Sequence, residues 1–286
     1  MKRAIKPILI IALVFTLLFA ITVPLSAESY NLLTVHFINV GQGDSILIQV
    51  NGKNMLIDAG PKNSSKALLN YLNSKNISKF DYVIATHPHE DHIGCMSFVI
   101  NKYSINKFYA PKVTQSTKIF EQMIESLQNK NLNIIPINSS TTSIDLGPNT
   151  KATIYSPVST SYDNLNNYSP VIKLTYFNNS FLFTGDAAFE SEKEILQKNS
   201  DLNADVIKIG HHGSATSTST DFLKAVSPKI AVISVGKNND YGHPSSETLS
   251  LLKRNNIKLY RTDLDGTIVM TSDGNKIAIK NDYRNR

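Results

Sequence analysis

The run Tyr82-Val83-Ile84-Ala85-Thr86 has the apolar, β-branched character of a buried strand, and it ends directly in His87-Pro88-His89-Glu90-Asp91-His92. A strand that stops at three imidazoles and two carboxylates has to deliver them to a place where something other than packing holds them, because clustered ionisable groups are costly to bury unpartnered. His87 and His89 stand two apart on an extended turn, so both rings can face one point, and Pro88 stiffens that turn. Asp91 and His92 then open a helical segment and offer a carboxylate and a third ring to a neighbouring point. The spacing suits two adjacent cations better than one.

Six of the seven histidines fall in three short segments: His87, His89 and His92; His211 and His212; and His243. Two of the remaining strand ends have the same chemical character. Phe181-Leu182-Phe183-Thr184 runs into Gly185-Asp186, whose two carboxylate oxygens can bridge two cations, and Val206-Ile207-Lys208-Ile209 runs into Gly210-His211-His212. Imidazole and carboxylate without thiolate suit Zn²⁺, and also Mn²⁺ or Fe²⁺, with positions left open for water or substrate. The single cysteine, Cys95, excludes an intrachain disulfide and reads as core packing.

Strand-like runs open the chain at Leu33 to Ile38, Ser45 to Val50 and Asn54 to Ile57, separated by Gly-containing turns. A helix is expected around Leu68, Leu69 and Leu72, after an Asn63-Ser64-Ser65 cap, and then the strand into the histidine motif. The second half repeats the order: strands at Ala152 to Tyr155, Val171 to Phe177 and Phe181 to Thr184, then a helix near Ala188 to Gln197. Strands at Val206 to Ile209, Ile230 to Val235 and Ile257 to Arg261 alternate with helices near Thr220 to Val226 and Ser246 to Arg254. Two halves, each of strands followed by strand-helix units, predict an α/β chain of two sheets packed face to face with helices outside. The polar stretch from Thr141 to Ser169 marks the junction between them.

Residues 1–27 stand apart. Lys2, Arg3 and Lys6 precede an apolar run from Ile8 to Val23, followed by Pro24-Leu25-Ser26-Ala27, the order of a secretory signal peptide or an uncleaved N-terminal membrane anchor. Either reading places the rest of the chain outside the cytoplasmic membrane, secreted or anchored to its outer face, with membrane contact only through residues 1–27. The folded domain is expected over residues 31–282. The chain carries 29 basic and 23 acidic residues, and without Lys2, Arg3 and Lys6 the balance is 26 to 23. That is a weak argument for a polyanion partner, and the basic residues are scattered along the chain rather than gathered in a block.

Taken together, these segments resemble the metallo-β-lactamase superfamily, and within it the hydrolase domain at the C-terminal end of ComEC-type competence proteins. The resemblance runs from about Leu33 to Ile279. It rests on Val35-His36-Phe37-Ile38-Asn39-Val40-Gly41-Gln42-Gly43-Asp44-Ser45, Leu56-Ile57-Asp58-Ala59-Gly60, the histidine motif, Leu182-Phe183-Thr184-Gly185-Asp186, and His211-His212-Gly213-Ser214. It continues through Gly236-Lys237-Asn238-Asn239-Asp240-Tyr241-Gly242-His243-Pro244 and Tyr260-Arg261-Thr262-Asp263. It implies an αββα sandwich of two mixed β-sheets and two divalent ions, Zn²⁺ or Mn²⁺. One would be held by His87, His89 and Asp186, the other by Asp91, His92, Asp186 and one of the paired histidines, His211 in preference to His212. Asp58 would support the centre from behind. The superfamily's usual ligand histidine between the first cluster and the bridging aspartate is missing, and Asn166-Asn167-Tyr168-Ser169-Pro170-Val171 occupies its place, leaving one site a ligand short.

A two-cation centre lowers the pKa of a water towards neutrality and neutralises charge developing on phosphorus or carbonyl. Asp91 could orient that water or accept its proton, and Asn239 and His243 could contact a phosphate or protonate a leaving group. The expected activity is that of an exported phosphodiesterase or nuclease, with DNA among the candidate substrates and no evident protein partner. A cell-wall phosphoester hydrolase such as a phosphorylcholine esterase is the second reading, weakened by the absence of tryptophan for an aromatic cage. A β-lactamase is disfavoured by the missing histidine. A non-catalytic binding protein that keeps metal for structure is the reading from a different class.

Overall fold

The computed structural model describes residues 32–198 and 201–281. The expected leader at residues 1–27 lies outside the described residues, as do the two end residues of the domain expected over 31–282. Among the described residues no helix is long and apolar enough to cross a membrane.

The first sheet begins as an antiparallel meander of β1 (Leu33–Phe37), β2 (Ile46–Val50) and β3 (Lys53–Ile57). It continues in parallel through β4 (Lys79–Ile84), β5 (Ser104–Ala110) and β6 (Ile134–Pro136). Between these strands run α1 (Ser65–Ser74), the short α2 (Glu90–Ile93), α3 (Met96–Lys102) and α4 (Lys118–Asn129). The second sheet starts with β7 (Thr150–Ile154), β8 (Ile172–Tyr176) and β9 (Asn179–Phe183), antiparallel neighbours. It turns parallel at β10 (Val206–Lys208), β11 (Ile230–Ile233) and β12 (Lys258–Arg261). Its helices are α5 (Phe189–Gln197), α6 (Thr220–Val226) and α7 (Ser246–Arg254), with the single turn α8 (Thr262–Asp265) after β12.

Strand alternation explains why two sheets form one sandwich. Val35, Phe37, Ile46, Ile48, Met55 and Ile57 point inward from the first sheet and meet Ile172, Leu174, Phe181, Phe183, Val206 and Val232 from the second. The rings of Phe37 and Phe183 lie 6.2 Å apart across that interface. The residues in between turn outward: Leu47, Leu56 and Val83 are covered by α1, α3 and α4, and Leu182, Ile207, Ala231 and Ile233 by α5, α6 and α7. Each fully buried Val, Leu, Ile, Phe or Met side chain among these contributes about 1.5–3 kcal/mol. The result is the αββα arrangement expected from the sequence.

Two expectations need correction. The sheets do not divide the chain into two consecutive halves, because β13 (Ile268–Ser272) and β14 (Ile277–Asn281) return as a hairpin and pair beside β1, extending the first sheet to eight strands. Ile268, Met270 and Ser272 alternate onto the buried face of β13, with Val269 and Thr271 half-buried on the other, and five residues with a serine among the inward ones do not stand out in the sequence. The Asn63-Ser64-Ser65 cap is also not a side-chain cap. Helix α1 starts at Ser65, and the Ser64 hydroxyl donates instead to the Pro61 carbonyl at 2.8 Å.

The topology decides where chemistry can occur. Strands β3 and β4 and strands β9, β10 and β11 run parallel within their sheets, and the segments following their carboxyl ends carry Asp58, the histidine motif, Asp186, His211-His212 and the Asn239–Pro244 loop. In open α/β sheets this is the end at which ligands bind.

Candidate metal centre

Asp58 follows β3 with φ 58, a left-handed conformation that aspartate tolerates better than most residues. Its Oδ1 accepts the Thr86 backbone N–H at 2.8 Å and its Oδ2 the Thr86 hydroxyl at 2.7 Å, which fixes the end of β4. The same Oδ2 lies 2.7 Å from Nδ1 of the fully buried His92, turning the other ring nitrogen, Nε2, toward the centre. Gly43 permits the close approach of the neighbouring loop: a Cβ there would stand 2.2 Å from the Asp91 carbonyl oxygen, which accepts the Asp44 N–H at 3.1 Å.

The side chains converge on Oδ2 of Asp186. His92 Nε2 lies 3.2 Å from it, His212 Nε2 3.5 Å, His211 Nε2 3.8 Å and His87 Nε2 3.9 Å. His87 Nε2 is in turn 2.9 Å from His89 Nδ1, and Asp91 Oδ2 is 3.0 Å from His212 Nε2. Donor atoms around a tetrahedral ion with bonds near 2 Å are roughly 3.3 Å apart, so these spacings match what a bound cation requires. Asp91, His92, Asp186 and His212 offer four ligand atoms all within 4.8 Å of one another. His92 Nε2 and Asp186 Oδ1 are buried without a hydrogen-bond partner, as donors facing an ion would be. The residues present fit a metal centre.

The structure separates the paired histidines. Both have left-handed backbones, φ 47 and φ 51, which throws their rings in different directions. His212 turns inward, with Nδ1 2.9 Å from the Ser234 carbonyl and Nε2 at the ion point. His211, preferred on sequence grounds, keeps a quarter of its side chain exposed and stands outside the group of four, against Asn166, Thr216 and the His243 ring. The geometry therefore favours His212 as ligand.

Asn239, expected in catalysis, is engaged elsewhere. Its amide donates to the carbonyls of Gly236 at 2.9 Å and His243 at 2.6 Å and accepts the N–H groups of Tyr241 and His243, so it shapes the loop that carries His243. His243 itself reaches the centre. It lines a cleft of ≈ 340 Å³ together with Gln42, His89, Asp91, His211 and Tyr241, with its Nδ1 buried and unpartnered.

Sequence reasoning passed over Asp44 and Lys208. Lys208 is fully buried at the end of β10, with Nζ 2.5 Å from Asp44 Oδ2, 2.8 Å from the Gly185 carbonyl and 3.8 Å from Asp186 Oδ1. A lysine inside an otherwise apolar strand was the available signal, since lysine is almost never fully buried unless paired.

The electrostatics follow from burial against this density of carboxylates. Burial pushes His87 well below the ordinary imidazole value, helped by His92. Burial also acts to lower His92 and His212, but Asp186 and Asp58 drive His92 well above its ordinary value, and Asp186 with Asp44 and Asp91 raises His212 to about 10. For Asp186 burial acts upward, yet His92, His212 and Lys208 hold it well below the carboxylate range. The upward shifts of His92 and His212 thus reflect the crowding of acids at the positions where divalent ions would bind.

Residues 38–237 match the model of the Metallo-beta-lactamase superfamily. The chain belongs to this superfamily. It is 31% identical over 252 residues to the ComE operon protein 3 of Bacillus subtilis (strain 168), an alignment covering 82% of this chain and 32% of that protein. It is 27% identical over 234 residues to the competence protein ComA of Neisseria gonorrhoeae, covering 80% of this chain and 31% of the relative. The superfamily chain therefore spans about a third of the length of these curated relatives, and the ComEC-type likeness seen in its motifs holds. Among solved structures, the metallo-beta-lactamase fold protein YhfI from Bacillus subtilis aligns with a TM-score of 0.56 at 14% identity, over 85% of this chain and 100% of that one.

Proposed function

We propose that this protein is an exported two-metal phosphodiesterase, with nucleic acid, DNA first, as its substrate class. The observation that carries the reading is the cleft: donors at Asp91, Asp186 and His212 open onto a polar depression whose other walls include Gln42, Tyr241 and His243. A diester phosphate presents two non-bridging oxygens that share one negative charge to such a surface without needing a deep pocket. Two divalent ions, Zn²⁺ or Mn²⁺, would be held by His87, His89 and Asp186 and by Asp91, His92, Asp186 and His212, supplying Lewis-acid charge and an acidified water.

The chain's own residues then have distinct tasks. Asp186 would serve both points, its Oδ2 lying 3.2 Å from His92 Nε2, 3.5 Å from His212 Nε2 and 3.9 Å from His87 Nε2. Asp91, whose Oδ2 lies 3.0 Å from His212 Nε2 and would share the second point with it, is placed to orient the attacking water or to accept its proton. His243, backed by the Tyr241 ring at 5.8 Å and the His211 ring at 5.4 Å, presents an imidazole to a phosphate oxygen or to the leaving group. Burial, helped by His211 and His212, lowers its value, which favours a hydrogen bond to a phosphate oxygen over proton transfer to the leaving group. Likeness to competence proteins supports a nucleic-acid substrate, and the leader-like residues 1–27 support secretion or anchoring at the outer face of the cytoplasmic membrane.

The test combines metal content with a substrate panel. The purified chain should bind two ions per molecule after reconstitution with Zn²⁺ or Mn²⁺. It should cleave bis-p-nitrophenyl phosphate and single-stranded DNA in preference to phosphorylcholine esters and nitrocefin. His89→Ala and Asp186→Ala should abolish turnover in a folded protein. Absence of stoichiometric metal, or hydrolysis confined to nitrocefin, would overturn the reading.

A further inference from the structure

Three lysines far apart in the sequence are brought to one series of depressions by the fold. Lys112 follows the end of β5, Lys151 lies in β7 and Lys198 follows α5, and all three are exposed. The depressions share walls. The first, of ≈ 610 Å³, holds Lys112 and Phe120, and through Ala110, Pro111 and Val113 it borders a small recess that reaches His87 and Pro88 at the metal centre. The second, of ≈ 340 Å³, shares Lys112, Pro136 and Tyr168 with the first and adds Lys198. The third, of ≈ 370 Å³, shares Lys198 with the second and adds Lys151 and Tyr155.

The third depression lies on the outer face of the second sheet, at its edge. Ile154, Ile172 and Leu174 point into the sandwich, so the alternate residues Lys151, Thr153, Lys173 and Thr175 turn outward. Acids do not cancel this charge. Among the described residues that line the three depressions, four lysines stand against one acid, Asp201, and the buried Lys173 binds it at 3.0 Å. Glu194, beside the second depression, is taken up by the hydroxyls of Ser159 and Tyr162. Each depression therefore combines an exposed ammonium with an aromatic ring: Lys112 with Phe120, Lys198 with Tyr168, Lys151 with Tyr155. Cations interleaved with rings along a groove are what a strand of nucleotides requires, its phosphates meeting the first and its bases the second.

We propose that this series is the track along which a single-stranded nucleic acid lies as it leaves the metal centre, held without regard to base sequence. This rests on the phosphodiesterase reading above and adds the surface that carries the uncleaved part of the strand. Successive phosphates meet Lys112, Lys198 and Lys151 in that order, and the rings receive bases, which only an unpaired strand exposes. Hydroxyls of Ser139, Ser140, Ser159 and Thr160 in the second depression add neutral phosphate contacts. A bilayer surface is flat and cannot follow a concave path, so the shape favours one flexible polyanion over anionic lipid.

The test is fluorescence polarisation of a labelled oligothymidine of about 20 nucleotides with the metal-stripped full-length chain, across a salt series. Wild type is compared with the triple variant Lys112→Gln, Lys151→Gln, Lys198→Gln. An equally charged control, Lys66→Gln, Lys224→Gln, Lys253→Gln, removes exposed lysines of α1, α6 and α7. Circular dichroism checks each fold. Each phosphate contact on a single strand contributes a salt slope of about 0.7, so the track variant should lose a slope of about 2 and bind roughly 10- to 100-fold more weakly at about 0.1 M salt. The control should stay within about twofold of wild type, and each single track variant should weaken binding by about threefold to fivefold, which decides the matter should the triple variant not fold. Equal weakening in the two triple variants overturns the track, because it would report net charge alone. So does a wild type that does not bind the strand, or a track variant that binds DNA as wild type does and loses binding only to phosphatidylglycerol vesicles. Track-dependent binding by a chain whose metal-loaded form cleaves no diester refutes the phosphodiesterase reading instead, and keeps the strand-binding surface.

Discussion

His92 Nδ1 and Asp58 Oδ2 are 2.7 Å apart with both side chains fully buried, and this contact joins the end of β3 to the ion point beyond β4. It holds the ring in one tautomer and aims Nε2 at Asp186 Oδ2, 3.2 Å away. Replacing Asp58 with Asn keeps a carbonyl for the Thr86 N–H and tolerates the left-handed backbone, but removes the charge behind the imidazole. Asp58→Asn should therefore weaken the ion held by Asp91, His92 and His212 by about 10- to 100-fold. Metal titration of the stripped variant checks this, and wild-type affinity would reduce Asp58 to a structural link with Thr86.

The Lys208 to Asp44 pair is a second buried contact with a direct consequence for stability. Lys208→Met removes the nearest cation from Asp44 and leaves only His212, whose Nδ1 is 3.5 Å from Asp44 Oδ1, and breaking such a buried pair typically costs up to about 3–5 kcal/mol. Urea denaturation of the metal-free protein should show a loss of that order, and the double variant Lys208→Met with Asp44→Asn should recover a large part of it. A single variant as stable as wild type would mean that Asp44 has found other partners or taken up a proton.

Much of this centre was legible because its chemistry is local in sequence. His87, His89, Asp91 and His92 fall within six residues, and the strands that carry Asp186 and His212 end in recognisable Gly-Asp and Gly-His steps. What was not legible depends on direction and on distant partners. No spacing rule distinguishes His211 from His212, since two left-handed residues decide which ring turns inward. Asn239 has the residue type of a phosphate contact, yet its amide closes its own loop. The pairing of β13 with β1 joins residues more than 200 positions apart, and nothing in the β1 sequence announces that neighbour. The αββα architecture survives because apolar alternation on each strand requires both faces to be covered, whatever the order in which the strands are recruited.

His36, the one histidine outside the three clusters, gives a pH prediction independent of metal. It is buried on β1 with Nδ1 2.9 Å from the Tyr71 hydroxyl, and burial together with Lys75 lowers it from 6.5 to about 4. The unfolded chain takes up this proton near pH 6.5 and the folded chain only near pH 4. The folded state is therefore fully stable with respect to His36 above pH 6.5, and loses up to about 3 kcal/mol as pH falls through that window. His36→Leu should abolish this component, so the stability difference between pH 7.5 and 4.5 should be smaller by about 2–3 kcal/mol in the variant than in wild type. Equal differences in the two proteins, measured by urea denaturation, would show that His36 does not titrate with the fold.

His243 separates substrate handling from metal binding. It stands outside the four-residue ion group but lines the same cleft, on a loop that Asn239 fixes through four hydrogen bonds. An imidazole held there without a metal to bind is free to act on substrate. If it contacts a phosphate oxygen or the leaving group, His243→Ala should slow phosphodiester hydrolysis by roughly 10² to 10⁴. Metal stoichiometry and affinity should stay at wild-type values, because no donor atom at either point has been removed. The leaving group then discriminates between the two roles: a poor alkoxide leaving group needs a proton and should suffer far more than p-nitrophenolate, whereas lost charge stabilisation should slow both alike. Asn239→Ala should reproduce a weaker form of the same defect, since it loosens the loop and leaves the ring in place. Full activity of His243→Ala on every diester tested, or loss of metal together with activity, would remove His243 from the reaction.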